Sequence, residues 1–280
     1  MSNIFISYGD QKFQKSIKRI KKQANKIGIF DKIITYGPKD LPQYIKCSPL
    51  FSSNKGGGYW IWKPYIIKET LEKCNENDVV YYVDAGCTLN PQSEEWLYFQ
   101  EILKSHQAIV FQYRNDTQYD GWERFCKKDQ NNNPALKYWI KPLTKDYFTN
   151  YLGNENYLDY NKIMGGIIII KKTSSIPLFL SEWYNITLYY PELVCDPFGE
   201  DLNRLPETFN AHRHDQTIIT PLAYKYNIID KIAILPETSE SSKDSAAIIA
   251  SRTAVWSWNI YDKFVYKLNC LFNKLASLLK

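Results

Sequence analysis

The sequence predicts an α/β protein with a mixed, mainly parallel sheet. Three observations predict it. The chain opens with a strand, an amphipathic helix and a second strand; the runs "VVYYV" and "GGIIIIKK" have the unbroken apolar character of strands covered on both faces; and helical segments separate the strands. With 280 residues, 44% hydrophobic and 23% charged, the chain suffices for one sizeable core and has the composition of a folded protein.

The elements follow in order. "NIFISYG" is a short strand closed by Gly9 and Asp10. Phe13, Ile17, Ile20, Ala24 and Ile27 recur at helical spacing with lysines between them, and Gly28 stops that helix. "DKIITYGP" is the second strand, ended by Gly37 and Pro38. The triple glycine Gly56–Gly58 reads as a flexible loop, and Pro64 suits the first turn of a helix over 64–75. "VVYYVD" is a central strand; a helix near "SEEWLYFQEILKS" and a strand "QAIVFQY" come next. From Asn115 to Asn161 the chain is polar, rich in Asn and aromatics, and weakly periodic, which reads as an irregular, substrate-shaping region. Gly165 and Gly166 open the strand "GGIIIIKK"; the helix "IPLFLSEWYNITLYY" follows it. "HRHDQTIITPLAYKYN" then enters a helix with Asp215 at or beside its N-cap, and "IIDKIAILP" is the last strand expected.

The bulk properties exclude several functions. A net charge of +5, from 35 basic and 30 acidic residues, admits an anionic ligand or membrane face, but no Lys/Arg block is long enough to suggest nucleic acid. The densest, "KSIKRIKKQANK", is the solvated face of a helix. Cys47, Cys74, Cys87, Cys126, Cys195 and Cys270 are scattered without a C-x-x-C pair, as expected of reduced thiols. The N-terminus runs straight into a strand, and no apolar run approaches the ~18–20 residues that span a bilayer. A cytoplasmic protein is the expectation.

The tail has a different character. Phe264, Val265, Leu268, Leu271, Phe272, Leu275, Leu278 and Leu279 share one helical face, with Lys263, Lys267, Lys274 and Lys280 off it and Trp256 and Trp258 before it. This pattern suits an amphipathic helix lying on the inner face of an anionic membrane, and equally a C-terminal helix docked on protein.

Asp84 draws attention as a carboxylate at the mouth of a buried strand. In open α/β sheets ligands bind beyond the carboxyl ends of the strands. An acid there either caps the next turn or holds a divalent cation, Mn²⁺ or Mg²⁺, that in turn holds phosphates. Ala85 and Gly86 leave room beside it. Upstream, Lys63 at a helix start suits a diphosphate, and Trp60 and Trp62 either stack on a base or sugar or pack in the core. Gly165 and Gly166 either admit a substrate or allow a bulge. In "HRHDQT", Asp215 is an N-cap, or a base or ligand to a substrate hydroxyl; one of His212 and His214 is then a second metal ligand or phosphate contact.

"GGGYWIWKPYIIKETL", "DVVYYVDAGCTLN", "MGGIIIIKKT" and "HRHDQTIITPLAYKYN", in this order and at these intervals, resemble the bacterial and viral glycosyltransferases of the GT-A fold that build capsule, O-antigen and related surface glycans. The resemblance spans about Asn3 to Pro236 and implies a catalytic domain over 1–253 with the tail at 254–280. It implies a nucleotide-sugar donor, a UDP-sugar, bound by Tyr8, Trp60, Lys63, Asp84, Ala85 and Gly86. It implies an acceptor glycan or lipid-linked oligosaccharide bound near Gly165, Gly166, Arg213, His214 and Gln216, and Asp215 as the catalytic acid position at the head of a late helix, the general base in inverting members; it implies either a divalent metal on Asp84 with help from His212 or His214, or an enzyme of weak metal dependence. The sequence departs from the family where Asp-x-Asp is usual: it reads Asp84-Ala85-Gly86, without the second acid. Two rivals follow. A sugar-phosphate nucleotidyltransferase carries a Gly-rich basic signature after the first strand, which "SYGDQKFQK" lacks; a catalytically weak glycan-binding member fits the missing acid but not the retained "HDQ" and "WKP". "GED" at Gly199–Asp201 reads as a loop and not as an acidic catalytic motif.

Overall fold

The computed structural model describes residues 1–53, 55–117, 119, 133–229 and 231–251. The first half runs β1 (Asn3–Tyr8), α1 (Gln14–Ile27), β2 (Lys32–Tyr36), α2 (Gln43–Lys46), the short turn α3 (Gly56–Tyr59), α4 (Trp62–Glu72), β3 (Val79–Val83), β4 (Thr88–Leu89), α5 (Glu95–Ile102) and β5 (Ala108–Gln112). The second half runs α6 (Pro142–Leu152), β6 (Ile163–Lys171), α7 (Leu178–Tyr189), α8 (Asp201–Arg204), α9 (Gln216–Ile228), β7 (Ile232–Pro236) and β8 (Ile248–Ile249). The main sheet has six strands in the order β2-β1-β3-β6-β5-β7. All pairings are parallel except those of β6, which runs antiparallel to both β3 and β5.

Side chains two apart point to the same face of a strand, and this divides the core in two. Ile4 and Ile6, Val80 and Tyr82, and Ile168 and Ile170 face a layer built on α4, α6, α7 and α9. Phe5, Tyr81, Val83, Ile167 and Ile169 face the opposite layer, built on α1 and α5. Both layers are apolar, so the central strands carry no polar alternation. The α/β class and the mainly parallel sheet expected from the sequence are what the molecule has.

Three local expectations change. The irregular region contains α6, entered at Pro142 and closed by Gly153 at φ 70°; its aromatic-rich, polar composition hides the helical period. β7 is not the last strand: β8 returns to pair antiparallel with β4, a two-residue pairing too short to leave a periodic signal. Asp201, the acid of "GED", begins α8 and is buried; its carboxylate lies 3.3 Å from the Lys141 ammonium and accepts from the Leu143 amide at 2.7 Å, a packing role at the start of α6. The tail from 252 onward, with Trp256, Trp258 and its amphipathic face, lies outside the described residues, as does Cys126.

Candidate active site

Strand periodicity aims Asp84. It follows Val80 and Tyr82 on the α4/α9 face of β3 and leaves the sheet at the strand's carboxyl end. Because β6 is antiparallel, its first residues arrive at that same edge: the Asp84 amide donates to the Gly166 carbonyl at 2.8 Å, one step beyond the Val83–Ile167 pairing. The two glycine-bearing and acid-bearing motifs, far apart in sequence, are neighbours for this reason.

Beneath them lies a buried ionic centre. Lys63, on the first turn of α4, is 1% exposed. Its Nζ donates to Asp215 Oδ2 at 2.5 Å and to the Gly165 carbonyl at 2.7 Å, and sits 3.8 Å from Asp84 Oδ1. The Tyr82 hydroxyl also donates to Asp84 Oδ1. Burial disfavours the ammonium, but Asp215 first and then Asp84 outweigh it, and the Lys63 pKa ends above its ordinary value. Burial, reinforced by Asp84, pushes the Tyr82 phenol far up, so it remains a donor. One oxygen of Asp84 is thus fixed from below; the side chain remains 38% exposed above.

A cavity of about 580 Å³ opens over this centre. On the β1 side, Tyr8 stacks on Trp62 with ring centroids 3.8 Å apart, and the Trp62 indole donates to the Gly56 carbonyl at 3.0 Å. Trp60 and the glycines Gly56 and Gly57 form the adjoining wall. Asp84, Ala85 and Gly86 line the middle, over the buried thiol of Cys87. Burial, then the charges of Asp84 and Glu240, push that thiol far above its usual range. Opposite stand Gly165, Gly166, Arg213 and Gln216. A Cβ on Gly166 would meet Asp84 Oδ2 at 3.0 Å, and one on Gly165 would meet Asp215 Oδ2 at 2.5 Å, so both positions exist to let β6 pass against the acids. Among the described residues the buried Gln216 Oε1 finds no hydrogen-bond partner, and it is an acceptor on the cavity wall.

Several expected roles are corrected by these positions. Lys63 is not offered to a diphosphate; its ammonium is spent on Asp215, Gly165 and Asp84 under the cavity floor. Asp215 is 7% exposed and does not line the cavity. It caps α9 by accepting from the Gln216 amide at 3.0 Å while Oδ2 holds Lys63. A general base must reach the proton it removes, and Asp215 is placed instead to pair a buried cation. His212 spends both ring nitrogens on its surroundings, accepting from the Lys141 amide at 3.2 Å and facing the Leu193 carbonyl at 2.9 Å. His214 faces the Val194 carbonyl through Nδ1 at 2.8 Å and Asp196 through Nε2 at 3.9 Å. Neither histidine turns to Asp84 as a metal ligand. Burial holds His212 well below the usual imidazole pKa and His214 at about 4, so both are neutral at pH 7. His214 therefore serves the wall, stacking with Trp60 at 5.4 Å.

Tyr113 and Glu240 were not flagged by sequence, yet both line the cavity, with the Tyr113 hydroxyl 3.4 Å from Glu240 Oε1. Glu240 comes from the polar loop between β7 and β8; buried Glu237 shapes that loop by accepting from the Glu240 amide at 2.8 Å and from Tyr119 at 2.8 Å. Only the fold brings this loop back to β4, so no local pattern announces it. A metal fits this donor set in a limited way. Among the described residues no group of three or more His, Cys, Asp or Glu side chains is gathered. Hard divalent cations accept one or two carboxylates when phosphate oxygens and water complete the shell, and Asp84 and Glu240 give the cavity two.

The glycine run is not a loose loop. Gly56, Gly57, Gly58, Tyr59 and Trp60 all have positive φ, between 53° and 95°, and form a left-handed helical turn with Tyr59 N donating to Lys55 O at 2.7 Å. Glycine accepts this backbone readily; Tyr59 and Trp60 do so at about 1–2 kcal/mol each. A Cβ at Gly56 would strike the Trp60 ring and one at Gly58 would meet Phe51 Cα at 2.7 Å, so the turn needs these glycines for space as well.

No family model and no curated protein matches the sequence. Among solved structures the chain is similar to a glycosyltransferase involved in the glycosylation of the major capsid of PBCV-1, at 10% identity over 89% of this chain and 92% of that one, with a TM-score of 0.46. It is also similar to mouse xyloside xylosyltransferase 1 in its apo form, at 8% identity over 84% and 85%, TM-score 0.42. A third is core-mannan synthase A from Aspergillus fumigatus in a Mn/GDP form, at 9% identity over 84% and 72%, TM-score 0.40. These are likenesses in the course of the chain; the chemistry must come from the side chains of the cavity.

Proposed function

We propose that the protein is a GT-A glycosyltransferase that moves a sugar from a nucleoside-diphosphate sugar, a UDP-sugar, to a hydroxyl of a glycan or lipid-linked oligosaccharide in surface polysaccharide synthesis. One observation carries the proposal. Asp84 stands at the carboxyl edge of the sheet, its Oδ1 fixed by Tyr82 and facing Lys63, beneath a cavity with aromatic rings on one side and glycines on the other. Such an edge is where α/β proteins bind nucleotides. The Tyr8–Trp62 pair and Trp60 supply faces for a base or sugar ring. The glycines of β6 let a sugar approach the backbone, and Gln216 Oε1 accepts a bond from a sugar hydroxyl.

In the reaction the acceptor oxygen bonds to the anomeric carbon, the bond from that carbon to phosphate breaks with its electron pair staying on the departing diphosphate, and the hydroxyl proton passes to water or to that diphosphate, both of which the reaction itself supplies. A divalent cation, when bound, neutralises the leaving diphosphate, and Asp84 and Glu240 are the side chains that would hold it. Lys63 and Tyr82 hold Asp84 in place; Asp215 keeps Lys63 charged. Gln216 and Arg213 orient sugar hydroxyls on the far wall.

We also place the protein at the cytoplasmic face of the membrane, through its tail. The support for this is the tail's sequence, with its apolar face from Phe264 to Leu279 and the lysines off that face. Incubation with a panel of nucleotide sugars and Mn²⁺ tests the activity. Release of nucleoside diphosphate supports it; release of pyrophosphate marks a nucleotidyltransferase, and glycan binding without release marks a catalytically weak binding protein.

A further inference from the structure

The residues with strained backbone are concentrated beside the cavity, and one carboxylate ties them together. Among the described residues, the non-glycine positions with positive φ are Tyr59, Trp60, Asn77 and His214. Three of these touch: the His214 ring lies 5.2 Å from that of Tyr59 and 5.4 Å from that of Trp60. Strain of this kind persists only where surrounding contacts enforce it, and it gathers at functional sites. The carboxylate of Asp196, on the segment after α7, meets this group. Its Oδ1 accepts from Lys55 Nζ at 2.6 Å, its Oδ2 accepts from the Tyr59 hydroxyl at 2.9 Å, and His214 Nε2 lies 3.9 Å away. Lys55 directly precedes, and Tyr59 belongs to, the left-handed turn whose members Gly56, Gly57 and Trp60 form cavity wall.

We propose that Asp196 is a positioning residue for donor binding: it clamps the Gly56–Trp60 turn onto His214 and so sets the wall against which the nucleotide sugar lies. This rests on the proposed glycosyltransferase function. Asp196 itself does not line the cavity, and its side chain is 44% exposed, so its removal leaves the core intact. Two bonds hold the turn from outside, one charge-assisted from Lys55 and one from a phenol.

Asp196→Ala and Asp196→Asn, compared with the unaltered chain, test the assignment. In Asp196→Ala the donor KM and the Kd of the product nucleoside diphosphate rise about 10-fold while kcat stays within about twofold, the signature of lost ground-state binding. Asp196→Asn keeps an acceptor for Tyr59 and falls between the two. A purely structural contact would lower thermal stability without this split. Trypsin cleavage after Lys55, mapped by mass spectrometry, is a readout independent of any ligand: it accelerates at least about fivefold in Asp196→Ala if the turn is released. Unchanged donor affinity, or a fall in kcat at constant KM, overturns the positioning role even when the chain is an active transferase. If the unaltered chain neither turns over a nucleotide sugar nor binds a nucleoside diphosphate, the donor role falls with the proposed function. Faster cleavage after Lys55 would then still support the clamp, and an unchanged rate would overturn it too.

Discussion

The Lys63 ammonium and the Asp215 carboxylate lie 2.5 Å apart in the floor of the cavity, joining α4 to the N-terminus of α9 across β6. Neither group is offered to solvent. The pair explains why a lysine behind a glycine turn and an acid in "HDQ" belong to one site: they hold Asp84 and the β6 glycines in register from below.

Breaking that pair is predicted to be destabilising. Lys63→Met leaves Asp215 buried without its cation and should lower the stability by about 3–5 kcal/mol in urea unfolding. Asp215→Asn in the same background should add little further, because its partner is already gone. A loss below about 1 kcal/mol for Lys63→Met would show that water reaches the pair.

The β6 glycines should differ in how they fail. Gly165→Ala places a methyl 2.5 Å from the Asp215 carboxylate and must displace it, so a fall in Tm is expected. Gly166→Ala meets Asp84 at 3.0 Å, where a small shift suffices; Tm should hold within a few degrees while affinity for Mn²⁺ with nucleoside diphosphate falls about 10-fold. Equal effects of both substitutions on both readouts would contradict this division.

Acid should weaken the fold through the histidines. His214 titrates at about 4 in the folded chain, and His212 is also held below its ordinary value, while both titrate near 6.5 when unfolded. Between those values the unfolded state binds more protons, so stability is full above pH 6.5 and declines as pH falls toward about 4. The urea midpoint should drop over that window on the order of 1 kcal/mol per pH unit per imidazole, and His214→Gln should flatten the slope. An unchanged slope in His214→Gln would show that its ring is not kept neutral by the fold.

The tail is predicted to govern surface attachment and not catalysis. A chain ending at Tyr261 should stay soluble and active but no longer float with vesicles containing anionic lipid. An insoluble product would favour the docked-helix alternative.

Much of the scaffold was legible because apolar periodicity is a local property. The strand from Val79 to Val83, the acid at its end and the α9 cap at Asp215 stand where the pattern puts them. What escaped depends on contacts between distant segments. Glu240 reaches the cavity only because β8 pairs with β4. The exclusion of His212 from metal binding depends on carbonyls and amides of the 141 and 193 segments. The glycine run reads as loose in sequence, whereas it forms a left-handed turn met by Asp196 about 140 residues later. Lys63 illustrates the same point: its residue type suggested a phosphate ligand, and only its burial shows that it serves two carboxylates.

The central claim is that Asp84 is the fixed acid of a nucleotide-sugar site. Nucleoside diphosphate release from the preferred donor, measured with Mn²⁺ for the unaltered chain and for Asp84→Asn, tests it most directly. The substitution keeps the shape and the Tyr82 contact but removes the charge, and should lower turnover at least ~100-fold with the fold intact by circular dichroism. Turnover within threefold of the unaltered chain would remove Asp84 from the site and contradict the account.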